Sequence, residues 1–132
     1  MKWVPGATEG TVVAGGNGPG SSSNQLTYPE GIAIDHQGNL YVVDGDNNRV
    51  QKFAPGSLNG VTVAGGNGQG SGLNQLYQPQ GIFLDASGNL YIVDASNQRV
   101  MKWLREARRA SWWQEEMATA LQRTNFPIPV MC

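Results

Sequence analysis

Up to about residue 103, short apolar runs alternate with clusters of Gly, Asn, Asp and Pro. Residues 31–35 read as a strand with Ile32 and Ile34 on one face. His36-Gln37-Gly38-Asn39 reads as a tight turn, because Gly and Asn tolerate positive φ. Residues 40–44 form a second predicted strand, 45–48 a turn, 49–53 a third strand, 55–60 a turn and 61–64 a fourth strand. A long Gly-rich connector follows over 65–79. Apolar residues fall on both faces of Leu40-Tyr41-Val42-Val43, which suits a sheet covered on both sides. Helix periodicity is absent from residues 1–100.

The pattern repeats. Residues 51–100 align with residues 1–50 without a gap, and 28 of the 50 positions are identical. Val13-Ala14-Gly15-Gly16-Asn17-Gly18 returns as Val63-Ala64-Gly65-Gly66-Asn67-Gly68, and Gly38-Asn39-Leu40-Tyr41 as Gly88-Asn89-Leu90-Tyr91. Met101-Lys102-Trp103 then opens a third unit as Met1-Lys2-Trp3 opens the first. Two such units imply tandem duplication of one supersecondary unit. Four short strands per roughly 40–50 residues is the arithmetic of a β-propeller blade. The expected fold is therefore all-β: a partial β-propeller of about two four-stranded antiparallel blades. Residues 1–50 form the first repeat, 51–103 the second with the start of a third, and 104–132 a non-repeat tail.

Three stretches carry a family resemblance. Pro29-Glu30-Gly31-Ile32-Ala33-Ile34-Asp35, Gly38-Asn39-Leu40-Tyr41-Val42-Val43-Asp44 and Asn47-Asn48-Arg49-Val50-Gln51-Lys52-Phe53 resemble an NHL repeat, and residues 79–103 match again. The resemblance covers about 100 of 132 residues. It implies one propeller blade per unit, usually about six blades in a closed ring, and a binding platform more often than an enzyme. Two blades do not close a ring, so two sheet faces would stay bare and open to self-association. Met1 falls inside the repeat, where Gln51 and Met101 fall, which is expected of a fragment that starts within a longer array.

The tail admits two readings. Residues 104–123 are rich in helix formers, and Trp113, Met117 and Leu121 share one face at helical spacing, which predicts an amphipathic capping helix ending near Pro127. The other reading is a third repeat translated in the wrong frame. Trp112 through Ala118 can be encoded TGG TGG CAG GAG GAA ATG GCA, and one base earlier this string spells Val-Ala-Gly-Gly-Asn-Gly at 113–118, fifty residues after Val63. The same shift lets 105–110 spell Pro-Gly-Ser-Thr-Glu-Gly, 124–126 Asn-Gln-Leu and 128–129 Tyr-Pro. The underlying nucleotide sequence decides between them.

Composition follows from the repeat. Gly counts 18, about twice the usual share of roughly 7%, and every Gly lies at or before Gly88. Residues 1–100 carry four basic and seven acidic side chains, whereas 101–132 carry five and three. A net charge of −3 over the repeats argues against a nucleic-acid partner. No run approaches the roughly 18 apolar residues of a membrane span, and the N-terminus lacks a signal-peptide core. Cys132 is the single cysteine, so no internal disulfide is expected.

The candidate motifs read as architecture. Asp44 with Arg49, and Asp94 with Arg99, are expected to clamp the second turn of each unit. Asp35-x-x-Gly38-Asn39 and Asp85-x-x-Gly88-Asn89 resemble calcium loops but lack the six to eight oxygens calcium takes, so Asx-turned hairpins are expected. Gly15-Gly16-Asn17-Gly18-Pro19-Gly20 lacks the Lys and Ser/Thr of a P-loop and reads as a flexible inter-blade loop. His36 is replaced by Ala86 in the second unit and reads as a turn residue. Trp3, Phe53 and Trp103 occupy equal positions and are expected in packing. No catalytic, cofactor-binding or metal-ligating residue is assigned, and no cofactor. The expected function is a non-enzymatic scaffold that binds a protein or small ligand through its variable loops, with no membrane partner. The alternatives are a fragment of a metal-dependent lactonase-like or lyase-like propeller, or an RNA-binding propeller.

Overall fold

A computed structural model describes residues 1–105. The predicted helix and the shifted third repeat both fall on the tail beyond them, outside the described residues. The first sheet runs β1 (Pro29–Ile34), β2 (Leu40–Asp44), β3 (Arg49–Phe53) and β4 (Val61–Gly65), in that spatial order. The second runs β5 (Gly81–Leu84), β6 (Leu90–Asp94) and β7 (Arg99–Trp103). Every adjacent pair is antiparallel. The all-β, blade-like architecture is thus as the sequence predicts. Among the described residues the second sheet has three strands where the sequence predicts four.

Sheets and repeats are out of phase. β1 and β2 come from the first fifty-residue unit, β3 straddles its end at residue 50, and β4 comes from the second. Residues before β1 contain an antiparallel bridge, Lys2 to Thr11, with reciprocal N–O distances of 2.6 and 2.7 Å. It repeats the pairing of Lys52 with Val61 between β3 and β4. Residues 1–13 therefore correspond in the repeat to the outer two strands of a blade, joined by this single bridge. Trp3 beside this bridge is exposed and donates its indole N–H to Ala7 O at 2.9 Å, whereas its counterparts Phe53 and Trp103 are buried in sheets of four and three strands. A two-stranded ribbon offers too little surface to bury an indole.

The sheets meet face to face. Antiparallel register puts Ala33, Tyr41, Val43, Val50 and Ala64 of the first sheet on one side. They form a single core with Leu90, Ile92 and Trp103 of the second, flanked by Ile82, Leu84 and Met101. β1 and β5, the innermost strands, lie against each other. Gly31 permits this approach, because a Cβ there would stand 3.1 Å from Gln80 O and 3.5 Å from Gly81 Cα. Leu76 of the Gly-rich connector completes the core and is fully buried.

Candidate functional site

The two ends of the sheets use their polar residues differently. At one end Asp44 is fully buried. It accepts Thr27 N at 2.7 Å, Asn47 Nδ2 at 2.9 Å and Arg49 Nε at 2.7 Å. Arg49 then donates to Ser21 O at 3.0 Å and to Ser22 O and Gln25 O at 3.2 Å. The pair pins the connector over 20–27 to the turn after β2. The second unit repeats the device, with Asp94 accepting Tyr77 N and Arg99 Nε at 2.7 Å, and Arg99 reaching Ser71 O, Gly72 O and Gln75 O. A guanidinium with three carbonyls and a carboxylate has four of its five donors engaged within the fold.

The Gly-rich stretch is pinned in the same way. Asn17 Nδ2 donates to Asn24 O at 2.9 Å and Gln25 Nε2 to Asn17 O at 3.2 Å. Asn67 and Gln75 repeat both bonds at 2.8 and 3.1 Å. The loop expected to be flexible is held in an ordered turn by side chains that recur with it.

At the opposite end stand the β1–β2 and β5–β6 hairpin turns. Asp35 accepts Gln37 N, Asn39 N and Asn39 Nδ2 at 2.9–3.0 Å, and the Tyr41 hydroxyl at 3.1 Å. Asp85 does the same with Ser87, Asn89 and Tyr91. Both are Asx-turned hairpins, with Gly38 at φ +86° and Gly88 at φ +89°. At Asp35 burial raises the carboxyl pKa, but the bonds from the Asn39 side chain, Asn39 N–H, Tyr41 and Gln37 together outweigh it and hold it below the ordinary value. At Asp85 the Asn89 N–H is the largest influence and the result is again a lowered pKa, against a smaller opposing effect of burial.

These shifts set a pH dependence. A carboxyl with a lower pKa folded than unfolded binds fewer protons in the folded state, so its contribution is present above the ordinary carboxylate pKa of about 4 and fades as pH falls through the folded value. Thermal unfolding between pH 6 and 2.5 is expected to show the melting temperature falling below about pH 4. Asp35→Asn with Asp85→Asn is expected to flatten that fall; an unchanged acid limb would contradict the assignment.

Between the two hairpins lies a groove of about 400 Å³. It is lined by Ile34, Tyr41 and Leu84 and by the exposed turn residues His36, Gln37, Ala86 and Ser87. Lys52 and Arg105 add two cationic side chains. Lys52 Nζ sits 5.8 Å from the centroid of the Tyr41 ring. Arg105 is placed by its own N–H, which donates to Asn89 Oδ1 at 3.1 Å. Asp35, Asp85 and His36 thus come together at one groove, while Asp44, Arg49, Asp94 and Arg99 lie at the other end. Lys52, Tyr41 and Arg105 were not distinguishable as groove residues in the sequence. The recurrence of Tyr41 and Lys52 as Tyr91 and Lys102, cross-strand partners in both sheets, was the available signal. Among the described residues, no three His, Cys, Asp or Glu side chains group to hold a metal ion.

Comparison with known proteins agrees with this local geometry. Residues 26–53, which contain β1 to β3 and the first Asx hairpin, match the family model for the NHL repeat. No curated protein matches the chain.

Proposed function

With residues 26–53 an NHL repeat, we propose that the chain is a non-enzymatic binding scaffold, whose propeller-type blades present the inter-hairpin groove to an extended protein segment with an acidic side chain. The observation that carries this reading is the division of labour along the repeat. The polar residues common to both units, Asp35, Asn39, Asp44, Asn47 and Arg49 with their counterparts, hold the backbone. The residues that differ, His36 and Gln37 against Ala86 and Ser87, stand exposed on the groove rim. Variable side chains on a rigid frame are where propeller-type loops carry specificity. The acid preference follows from charge. Each groove carboxylate already accepts four hydrogen bonds, while Lys52 and Arg105 bring positive charge to the same space.

A displayed library of random peptides selected on the immobilised chain tests this. Enriched peptides are expected to carry Asp or Glu and to lose about tenfold or more in affinity for an Ala86→Trp variant that fills the groove rim. Peptides that bind wild type and variant equally, or no enrichment at all, would contradict the proposal.

A further inference from the structure

The two outer faces of the described structure repeat the two faces of its internal interface. The internal contact joins Gly31, Ala33, Tyr41, Val43 and Val50 of the first sheet to Ile82, Leu84, Leu90 and Ile92 of the second. On the far side of the second sheet, the same repeat positions hold Gly81, Phe83, Tyr91, Val93 and Val100. On the far side of the first sheet they hold Ile32, Ile34, Leu40 and Val42. Covering separates most of them: Val43 and Val50 are 0% exposed while Val93 and Val100 are 43% and 64% exposed, and on the first sheet's far side Val42 is already buried at 3%. Ile32 and Ile34 are 64% and 63% exposed, whereas Ile82 and Leu84 are packed against the core. One end of the molecule is a copy of the surface that its other end is shaped to receive.

The strand edges agree. β3 pairs with β4, but β7, its counterpart, has no outer partner among the described residues. The ribbon before β1 has the converse arrangement. Thr11 pairs with Lys2, within a Met-Lys-Trp stretch identical to Met101-Lys102-Trp103 of β7. Lys102 of one copy is therefore chemically equivalent to Lys2 of another as the partner of Thr11.

We infer that this chain associates head to tail with a second copy of itself: the Phe83, Val93 and Val100 face of one copy covers the Ile32 and Ile34 face of the next. The segment around Thr11 of that next copy then leaves its own Met1-Lys2-Trp3 to add as the outer strand of β7. Exchange of an identical element between copies forms an interface without new chemistry, and strand addition satisfies the β7 edge. The contact is heterologous, so it propagates until it closes into a ring.

Heterologous pairing makes a sharp test. One variant, Ile32→Glu with Ile34→Glu, blocks the receiving face; the other, Val93→Glu with Val100→Glu, blocks the donating face. All four positions are exposed, and circular dichroism reports whether each variant folds. Light scattering is expected to give the unaltered chain a mass of several copies. Each variant alone should stay at one copy, and an equimolar mixture should stop at two. As a readout that needs no substitution, hydrogen exchange of the unaltered chain should show β7 amides gaining protection as concentration rises. A chain that stays single at all concentrations would overturn the inference. So would a variant that still pairs with itself, a mixture that stays single, or β7 protection independent of concentration.

Discussion

Replacing Arg49 with leucine is expected to destabilise the chain by about 3 kcal/mol or more, measured by urea unfolding. The cost arises mainly from what stays behind. Asp44 remains fully buried with its carboxylate uncompensated, and the carbonyls of Ser21, Ser22 and Gln25 lose their donor. Arg99→Leu is expected to cost less, because that side chain is 24% exposed against 10% for Arg49, and water reaches the site. Adding Asp44→Asn to Arg49→Leu should recover part of the loss, since it removes the buried charge while keeping an acceptor for Thr27 N. Equal losses at Arg49 and Arg99, or no recovery in the double variant, would show that the pair does not organise the connector.

Leu76→Ala is expected to cost about 3 kcal/mol, within the range for a fully buried leucine that leaves a cavity. Leu76 lies in a stretch of Gly, Asn, Gln and Ser, yet it is fully buried in the shared core. Its Cδ1 lies so close to Gly65 that a Cβ there would stand 2.9 Å away. Leu26→Ala, at the equivalent position one repeat earlier, should cost clearly less because Leu26 is half-buried. Paired unfolding curves read the difference directly. Two equally small losses would mean that the connector is not packed into the inter-sheet core.

These positions show which features are legible in the sequence. Strands β1 to β7 were, because apolar runs bounded by turn residues mark each one, and the fifty-residue repeat marks β1, β2 and β3 a second time as β5, β6 and β7. The Asp–Arg clamp was visible as a recurrent pair across a turn, but its reach to carbonyls 24 to 28 residues away was not, since backbone acceptors carry no side-chain signature. The Asx hairpins were visible at Asp35 and Asp85, whereas the Tyr41 and Tyr91 hydroxyls reach them only through cross-strand register. Trp3 shares its repeat position with two buried aromatics and is nevertheless exposed, because burial depends on the neighbouring sheet rather than on local pattern. The groove is the least legible feature. It lies between two blades and gathers Lys52 and Arg105 from positions fifty-three residues apart.

The repeats fold into two sheets packed face to face as consecutive propeller-type blades. Methyl-to-methyl nuclear Overhauser measurements on selectively labelled protein test this packing most directly. Cross-peaks are expected between Val43 and Val50 of the first sheet and Leu90 and Ile92 of the second, and none of comparable strength between Val93 or Val100 and Ile82 or Ile92, which share their sheet but point to its other side. Cross-peaks confined within each sheet, with none between Val43 or Val50 and Leu90 or Ile92, would contradict it.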